Sequence, residues 1–182
     1  MRDASTRELA TARLQLLPIS LDDAQDLLKL WTNKEVRRYL WDNRIIPLET
    51  VRTIIDDSEA FFAETGSGMF GVRLSGESDE IIGFCGNRPF EGTGEVELLY
   101  GIHPDYWSRG IGTEAARAVL SHGIRECGFH RVIAATDTPN QRSVKVLQRL
   151  GMFFDRRQKH HGLDTVFYSI CAEDFEQQRL HG

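Results

Sequence analysis

One stretch, EVELLYGIHPDYWSRGIGTEAARA at residues 95–118, limits most sharply what this chain can become. It starts as a β-rich run, turns through His103-Pro104-Asp105, and reaches Arg109-Gly110-Ile111-Gly112-Thr113 just before an Ala- and Glu-rich helical pattern. Two glycines at i and i+2 permit backbone angles that other residues avoid, and let a ligand approach the main chain closely. The opening N–H groups of a helix lack internal partners, and the helix dipole adds partial positive charge there. Such a strand–turn–helix junction is a cradle for a phosphate or pyrophosphate, with Arg109 available for one charge-assisted contact. A Gly-rich turn that only reverses the chain is the plainer reading of the same residues.

Around this junction the chain changes texture once. Residues 1–10 are polar and read as a flexible N-terminus, leaving 11–182 as a single domain. Residues 13–17 alternate as a strand closed by Pro18. Ser20 stands three residues before Asp23 as an N-cap pattern, and Ala24, Leu27, Leu28 and Trp31 follow at helical spacing. A shorter helix is expected at 33–40 and an amphipathic one at 48–65, stopped by Gly66-Ser67-Gly68. Short β-rich runs at 69–74, 81–87 and 95–102, split by turn-rich connections, read as an antiparallel meander. A helix at 112–127, a strand at 131–136, a helix at 140–150 and a hairpin of 152–156 with 166–170 complete the chain. The order βααβββαβαββ, with no repeat or linker, is that of an α+β domain with a mixed sheet.

Composition narrows the function. The 182 residues suit one domain with a sizeable core. Asp plus Glu number 27 against 22 Lys plus Arg, a net charge of −5, which argues against a nucleic-acid-binding surface. An anionic ligand must then be held by a local site. No apolar run approaches the ~20 residues of a membrane span, and the N-terminus lacks a secretory pattern. Cys85, Cys127 and Cys171 are widely spaced without a CxxC pair, so reduced thiols in a cytoplasmic protein are expected rather than zinc or disulfides. His160 and His161 are adjacent on an expected strand, where neighbouring side chains diverge, and no metal site is expected there. Arg37, Arg38 and Arg44 with Trp31, Tyr39 and Trp41 read as a solvated basic face over an aromatic core.

Gly110-Ile111-Gly112-Thr113-Glu114-Ala115 also fits G-x-G-x-x-A, the loose dinucleotide fingerprint. Its context is poor, because residues 103–107 separate it from the strand and no acidic residue ends a second strand ~20 residues on. The same segment resembles the GCN5-related N-acetyltransferase (GNAT) superfamily, in the branch containing ribosomal-protein N-terminal acetyltransferases. Trp107-Ser108-Arg109-Gly110-Ile111-Gly112 matches the family's Gln/Arg-x-x-Gly-x-Gly/Ala loop, with Trp107 in the first position. Glu97-Leu98-Leu99-Tyr100 and His103-Pro104-Asp105-Tyr106-Trp107 match the strand before it. Asn140-Gln141-Arg142-Ser143 with Leu147-Gln148-Arg149-Leu150-Gly151-Met152 matches the Asn-x-x-Ser…Leu-Gly-Phe helix. The resemblance covers residues 11–172.

The resemblance implies a twisted, mostly antiparallel sheet, splayed between the strands at 95–102 and 131–136 (the fourth and fifth), and flanked by helices. It implies direct acetyl transfer from acetyl-CoA to an amine. Backbone groups near Leu99, Tyr100 and Ile102 would pair with the pantetheine arm, and Trp107, Ser108, Arg109, Gly110, Ile111, Gly112 and Thr113 would cradle the pyrophosphate. Glu97 is the expected acceptor of the amine proton through water, with Glu95 as the fallback. Ser143 is the donor that the branch suggests towards the sulfur, and Asn140 is both an N-cap candidate and a cofactor contact. The superfamily's usual Tyr falls on Leu147. Because an α-amine titrates at ~7.7–8.0 and a lysine at ~10.4, the acceptor is expected to be a peptide N-terminus or small-molecule amine. A homodimer is compatible with the resemblance. Two other readings stay open: a catalytically idle acetyl-CoA-binding regulatory module, and an NAD(P)-dependent oxidoreductase.

Overall fold

Eight strands hydrogen-bond into one open sheet, and the order in which they do so creates the gap that the rest of the molecule serves. The structure is a computed structural model that describes residues 7–77 and 79–180. In chain order the elements are β1 (Leu9–Ala10), β2 (Leu14–Pro18), α1 (Ala24–Thr32), α2 (Lys34–Arg37), α3 (Leu48–Thr65), β3 (Met69–Leu74), β4 (Gly83–Pro89) and β5 (Val96–Ile102). They continue as α4 (Ile111–Arg125), β6 (Arg131–Asp137), α5 (Gln141–Arg149), β7 (Phe153–His160), β8 (Leu163–Cys171) and α6 (Ala172–Leu180). The sheet order is β1-β2-β3-β4-β5-β6-β8-β7. Every neighbouring pair is antiparallel except β5 and β6, which run parallel because α4 carries the chain back between them.

Side-chain alternation splits the core between the two sheet faces. On one face Leu14, Leu16, Phe70, Val72, Cys85 and Leu98 pack under α4, joined by Leu147 of α5 and Phe175 of α6. On the other, Met69, Ile81 and Phe84 pack under Leu27, Leu30 and Trp31 of α1 and Val51 and Ile55 of α3. Trp31 is fully buried, edge-on to both Trp41 and Phe84. The buried Arg73 of β3 ties α1 down by donating to Asp23 at 2.6 Å. The expected aromatic core at Trp31 and Trp41 is therefore present, and Trp41 also lines a cavity described below.

Several elements differ from the sequence reading. Leu9–Ala10, expected within a flexible N-terminus, add an edge strand to β2, while residues 1–6 of that expectation lie outside the described residues. The helix expected over 33–40 stops at Arg37; Asn33 caps it by accepting from the N–H groups of Glu35 and Val36. The chain then passes through Trp41, Asp42 and Asn43 with φ of 57, 52 and 60°, a left-handed run that costs roughly 1–2 kcal/mol per non-glycine residue. The final hairpin is longer than expected: β7 stays paired with β8 out to His160↔Leu163, held by the Arg157–Asp164 ion pair. Its unbroken polar run from Asp155 to His160 hides the strand from a hydrophobicity pattern. Helix α6 was not anticipated because, among its residues with described burial, Phe175 alone is a buried apolar one.

Gly86 sits where β4 crosses close under β3. A Cβ there would lie 2.5 Å from both the Gly68 carbonyl oxygen and the Met69 Cα, and backbone cannot swing aside as a side chain can. Gly86→Ala is expected to destabilise the fold by about 1–3 kcal/mol, read as a lower urea midpoint at unchanged m-value.

Candidate active site

The parallel ladder between β5 and β6 consists of Val96↔Val132 and Glu97↔Ile133 and then stops, although β5 continues to Ile102 and β6 to Asp137. On its other edge β6 is paired along its length with β8, from Arg131↔Cys171 to Asp137↔Thr165, which holds it in the sheet while the β5 side opens. The register between β4 and β5 runs unshifted from Gly83↔Ile102 to Pro89↔Val96. At its two ends the Glu95 carbonyl accepts from Phe90 N–H and His103 N–H donates to the Ile82 carbonyl, so odd-numbered residues bond to β4. Even-numbered residues therefore turn their backbone groups into the cleft. Tyr100 and Ile102 are so placed, and Leu98 joins them. Leu99, expected to pair with a ligand there, instead directs its backbone to β4 and its side chain to the opposite sheet face. The Ile102 carbonyl is already engaged by the Trp107 indole N–H at 2.7 Å.

At the end of this open edge α4 begins. Its N-cap, Gly110, holds φ 76°, Ser108 just before it holds φ 62°, and the first backbone hydrogen bond of the helix is Glu114 N–H to the Gly110 carbonyl. The N–H groups of Ile111, Gly112 and Thr113 thus stand at a helix start that carries no capping side chain. A clamp not visible in the sequence pattern fixes this loop. Arg13 Nη1 donates to the Arg109 carbonyl at 2.9 Å, and Arg13 Nε donates to Glu114 at 2.7 Å. The Thr11 hydroxyl also donates to Glu114, at 2.5 Å. Burial raises the Glu114 carboxyl, but the Thr11 and Arg13 hydrogen bonds outweigh it and hold the group below its ordinary range. The Arg109 side chain lies over Tyr106 rather than in the loop.

Two cavities meet at the cleft. The first, about 800 Å³, is lined by Tyr100, Ile102, Trp107, Ser108, Gly110, Ile111, Gly112, Thr113, Asn140 and Ser143. Its rim is basic, with Arg38, Arg142, Lys145 and Arg149 against Glu35, and Arg142 stacks 4.3 Å over the Trp107 ring. The second, about 560 Å³, opens on the α1/α3 side and is lined by Glu97, Leu99, Leu147 and Asp137, with Trp41, Asp42 and Arg44 from the left-handed segment. Tyr39, Leu40, Tyr100, Asn140 and Ser143 line both. In that shared wall the Tyr100 hydroxyl stands 2.8 Å from Ser143 Oγ and 3.2 Å from the Ser143 carbonyl. Burial pushes the Tyr100 phenol above its ordinary range, opposed in part by its bond to Ser143.

The sequence-derived candidates fall into two groups. Glu97 is buried in the second cavity with its Oε2 held by Arg88 Nε at 2.7 Å. Ser143 sits in the first turn of α5, where Asn140 Oδ1 accepts its backbone N–H at 3.3 Å, so capping and site roles coincide at Asn140. Glu95 does not share this position; its carboxylate is bound by Arg131 and Arg156 outside both cavities. Arg109 contributes its carbonyl to the Arg13 clamp rather than a side chain to the wall. Asp137 was missed: it ends β6 inside the second cavity, and burial first, then the nearby Asp42, raise its carboxyl against a bond from Thr165. Its position at a strand end four residues before a helix was the available signal. Among the described residues no group of three or more His, Cys, Asp or Glu is arranged to hold a metal ion, and His160 packs against Phe90 and Phe167.

The profile of the family described as "Acetyltransferase (GNAT) domain" matches residues 13–153. The chain is 26% identical over 174 residues to an uncharacterized N-acetyltransferase, p20, of Bacillus licheniformis, covering 92% of this chain and 97% of that one. It is 20% identical over 147 residues to the spermidine N(1)-acetyltransferase of Escherichia coli K12, covering 81% and 76% respectively. In fold it is similar to a solved structure of RimL, a ribosomal L7/L12 alpha-N-protein acetyltransferase in complex with coenzyme A. That likeness has a TM-score of 0.75 at 16% identity, covering 90% of this chain and 97% of that one.

The clamp gives a pH-dependent signature. A carboxyl whose folded pKa is depressed contributes stability above its unfolded value of ~4.3, and that contribution is lost as pH falls through the folded value. Wild type is therefore expected to melt higher than Glu114→Gln at about pH 7, with the gap narrowing as pH falls below about 4. Melting curves of both proteins across that range check it.

Proposed function

The chain belongs to the GNAT acetyltransferases, and on that premise we propose that it transfers an acetyl group directly from acetyl-CoA to a primary amine within a ternary complex. The observation that carries this reading is the meeting of two chambers at one wall. One is basic and ends on a helix start, the other holds carboxylates, and Tyr100, Asn140 and Ser143 belong to both.

The residues present fit the donor. Bound acetyl-CoA supplies an activated acetyl group as a thioester. Backbone groups of Leu98, Tyr100 and Ile102 offer its amide-containing arm a β-strand edge. The N–H groups of Ile111, Gly112 and Thr113 face its diphosphate, with Arg142, Lys145 and Arg149 on the rim adding positive charge. Trp107, locked by its bond to Ile102 and stacked under Arg142, walls the chamber between these two grips.

On the acceptor side Glu97 takes the proton of the attacking amine through water, which leaves the nitrogen lone pair free to attack. The cleft-facing N–H of Tyr100 is the donor for the oxyanion, because the Leu99 backbone is turned to β4. Ser143 addresses the sulfur. The acceptor is an amine small or extended enough to enter about 560 Å³ beside Glu97 and Asp137, a peptide N-terminus or a small-molecule amine. Two similar proteins bear names that describe such acceptors, spermidine in one and a protein α-amine in the other. None of Cys85, Cys127 and Cys171 is joined in a disulfide, which suits a reducing compartment, and we propose a cytoplasmic location.

Acetyl-CoA is expected to raise the melting temperature where NAD(P)H does not. Across a panel of peptide N-termini and small amines, free-thiol release is expected with at least one acceptor, and Glu97→Gln is expected to lower kcat by about 10²–10⁴-fold. A rate for the best amine left unchanged in Glu97→Gln from about pH 6 to about pH 9 would assign the base elsewhere. No release with any amine would leave a binding module.

A further inference from the structure

The position that carries a tyrosine in much of the superfamily is Leu147 here, and it is buried. A different tyrosine reaches the same wall. Tyr100 comes from β5, on the sheet face that packs under α4, and its hydroxyl meets Ser143 of α5 across the splay. Both residues line both chambers, so their hydroxyls stand where donor and acceptor must touch. We infer that Tyr100 is a positioning residue whose hydroxyl orients Ser143, so that the Ser143 O–H is presented to the sulfur leaving the acetyl group. This rests on the acetyl-transfer reading above and names a residue that reading uses only through its backbone.

The hydrogen-bond arithmetic admits two arrangements. In one, Tyr100 donates to the Ser143 carbonyl while Oγ donates to Tyr100; in the other, Tyr100 donates to Oγ, and a thiolate in the chamber favours the second. A phenol has one proton to donate, and the Tyr100 hydroxyl has two acceptors in reach, the Ser143 carbonyl at 3.2 Å and Ser143 Oγ at 2.8 Å. When Tyr100 donates to Oγ, the serine proton is free to point into the chamber. Without Tyr100, the first-turn serine is free to turn its hydroxyl back to the helix backbone, a common alternative for this residue type. Burial raises the Tyr100 phenol, so it stays a neutral donor throughout the working pH range. The transfer then balances. The amine nitrogen forms the C–N bond, and the C–S bond breaks with its electron pair on sulfur. Glu97 receives the amine proton through water, and the thiolate is held by the Ser143 O–H until it takes a proton from solvent. Neither hydroxyl need ionise.

The test reads coenzyme A binding as well as rate. The thiol of bound coenzyme A, followed by the ultraviolet absorbance of its thiolate, is expected to titrate lower on wild type than in solution. Tyr100→Phe and Ser143→Ala are each expected to return it close to the free value, with affinity for desulfo-coenzyme A unchanged. Each is expected to lower kcat by about 10- to 100-fold at constant KM for acetyl-CoA. The double variant is expected to fall no further, because the two act as one unit. Ser143→Thr, which keeps a hydroxyl, is expected to restore part of the shift. A lowered thiol titration and full rate retained in Tyr100→Phe would overturn the inference, as would losses that multiply in the double variant. Coenzyme A that fails to bind wild type would overturn the acetyl-transfer reading itself, and this inference with it. If Tyr100→Phe does not fold, an unshifted thiol in folded Ser143→Ala supports the assignment, and a shifted one overturns it.

Discussion

A strand edge inside a protein cannot be left without partners, and β5 has such an edge. Its hydrogen bonds to β6 end after Glu97↔Ile133, while β6 is committed to β8 over its whole length. The backbone groups of Tyr100, with the Leu98 carbonyl and the Ile102 N–H, must be met by water or by something shaped like another strand. The same edge runs into the uncapped start of α4, so one continuous line of main-chain donors and acceptors passes from the sheet to the helix. Around it the fold does two things. β8 and the Arg13–Glu114 clamp hold the two sides of the gap in place, and α5 closes over it with Ser143.

Charge is distributed to match. The chain as a whole is acidic, yet the proposed donor chamber is lined by four basic side chains against a single acidic one. On the other side of the wall, Glu97 and Asp137 line the proposed acceptor chamber, with Asp42 brought near by a run of left-handed residues. That run costs folding energy, and such strain persists where surrounding structure over-determines it, commonly at functional sites. Here Trp41 in the same run packs against the fully buried Trp31, which anchors it.

Much of this was legible in sequence for a physical reason. The strand–turn–helix junction depends on glycine, helix start and spacing, which are local properties, and α3 matched its expected 48–65 bounds because its amphipathic period and Gly66 stop are local too. What was hidden depends on distant pairing. Arg13 lies about a hundred positions from the carboxylate it clamps. Leu99 was misassigned because which parity faces a cleft is set by register against β4, and nothing in residues 97–102 encodes it. The outer half of β7 was hidden because its side chains are almost all exposed, leaving no apolar alternation.

The open edge of β5 and the start of α4 present peptide groups, and this frees the sequence to drift along that line. A main-chain N–H is the same whichever residue bears it, so substitutions along β5 and at the start of α4 leave recognition standing while the strand and turn geometry survive. The acceptor chamber has no such insurance, because its character is set by the side chains of Glu97, Asp137 and the segment around Trp41. A lineage built on this plan would exchange its substrates readily while keeping its acyl donor, with divergence concentrated on one side of a single wall.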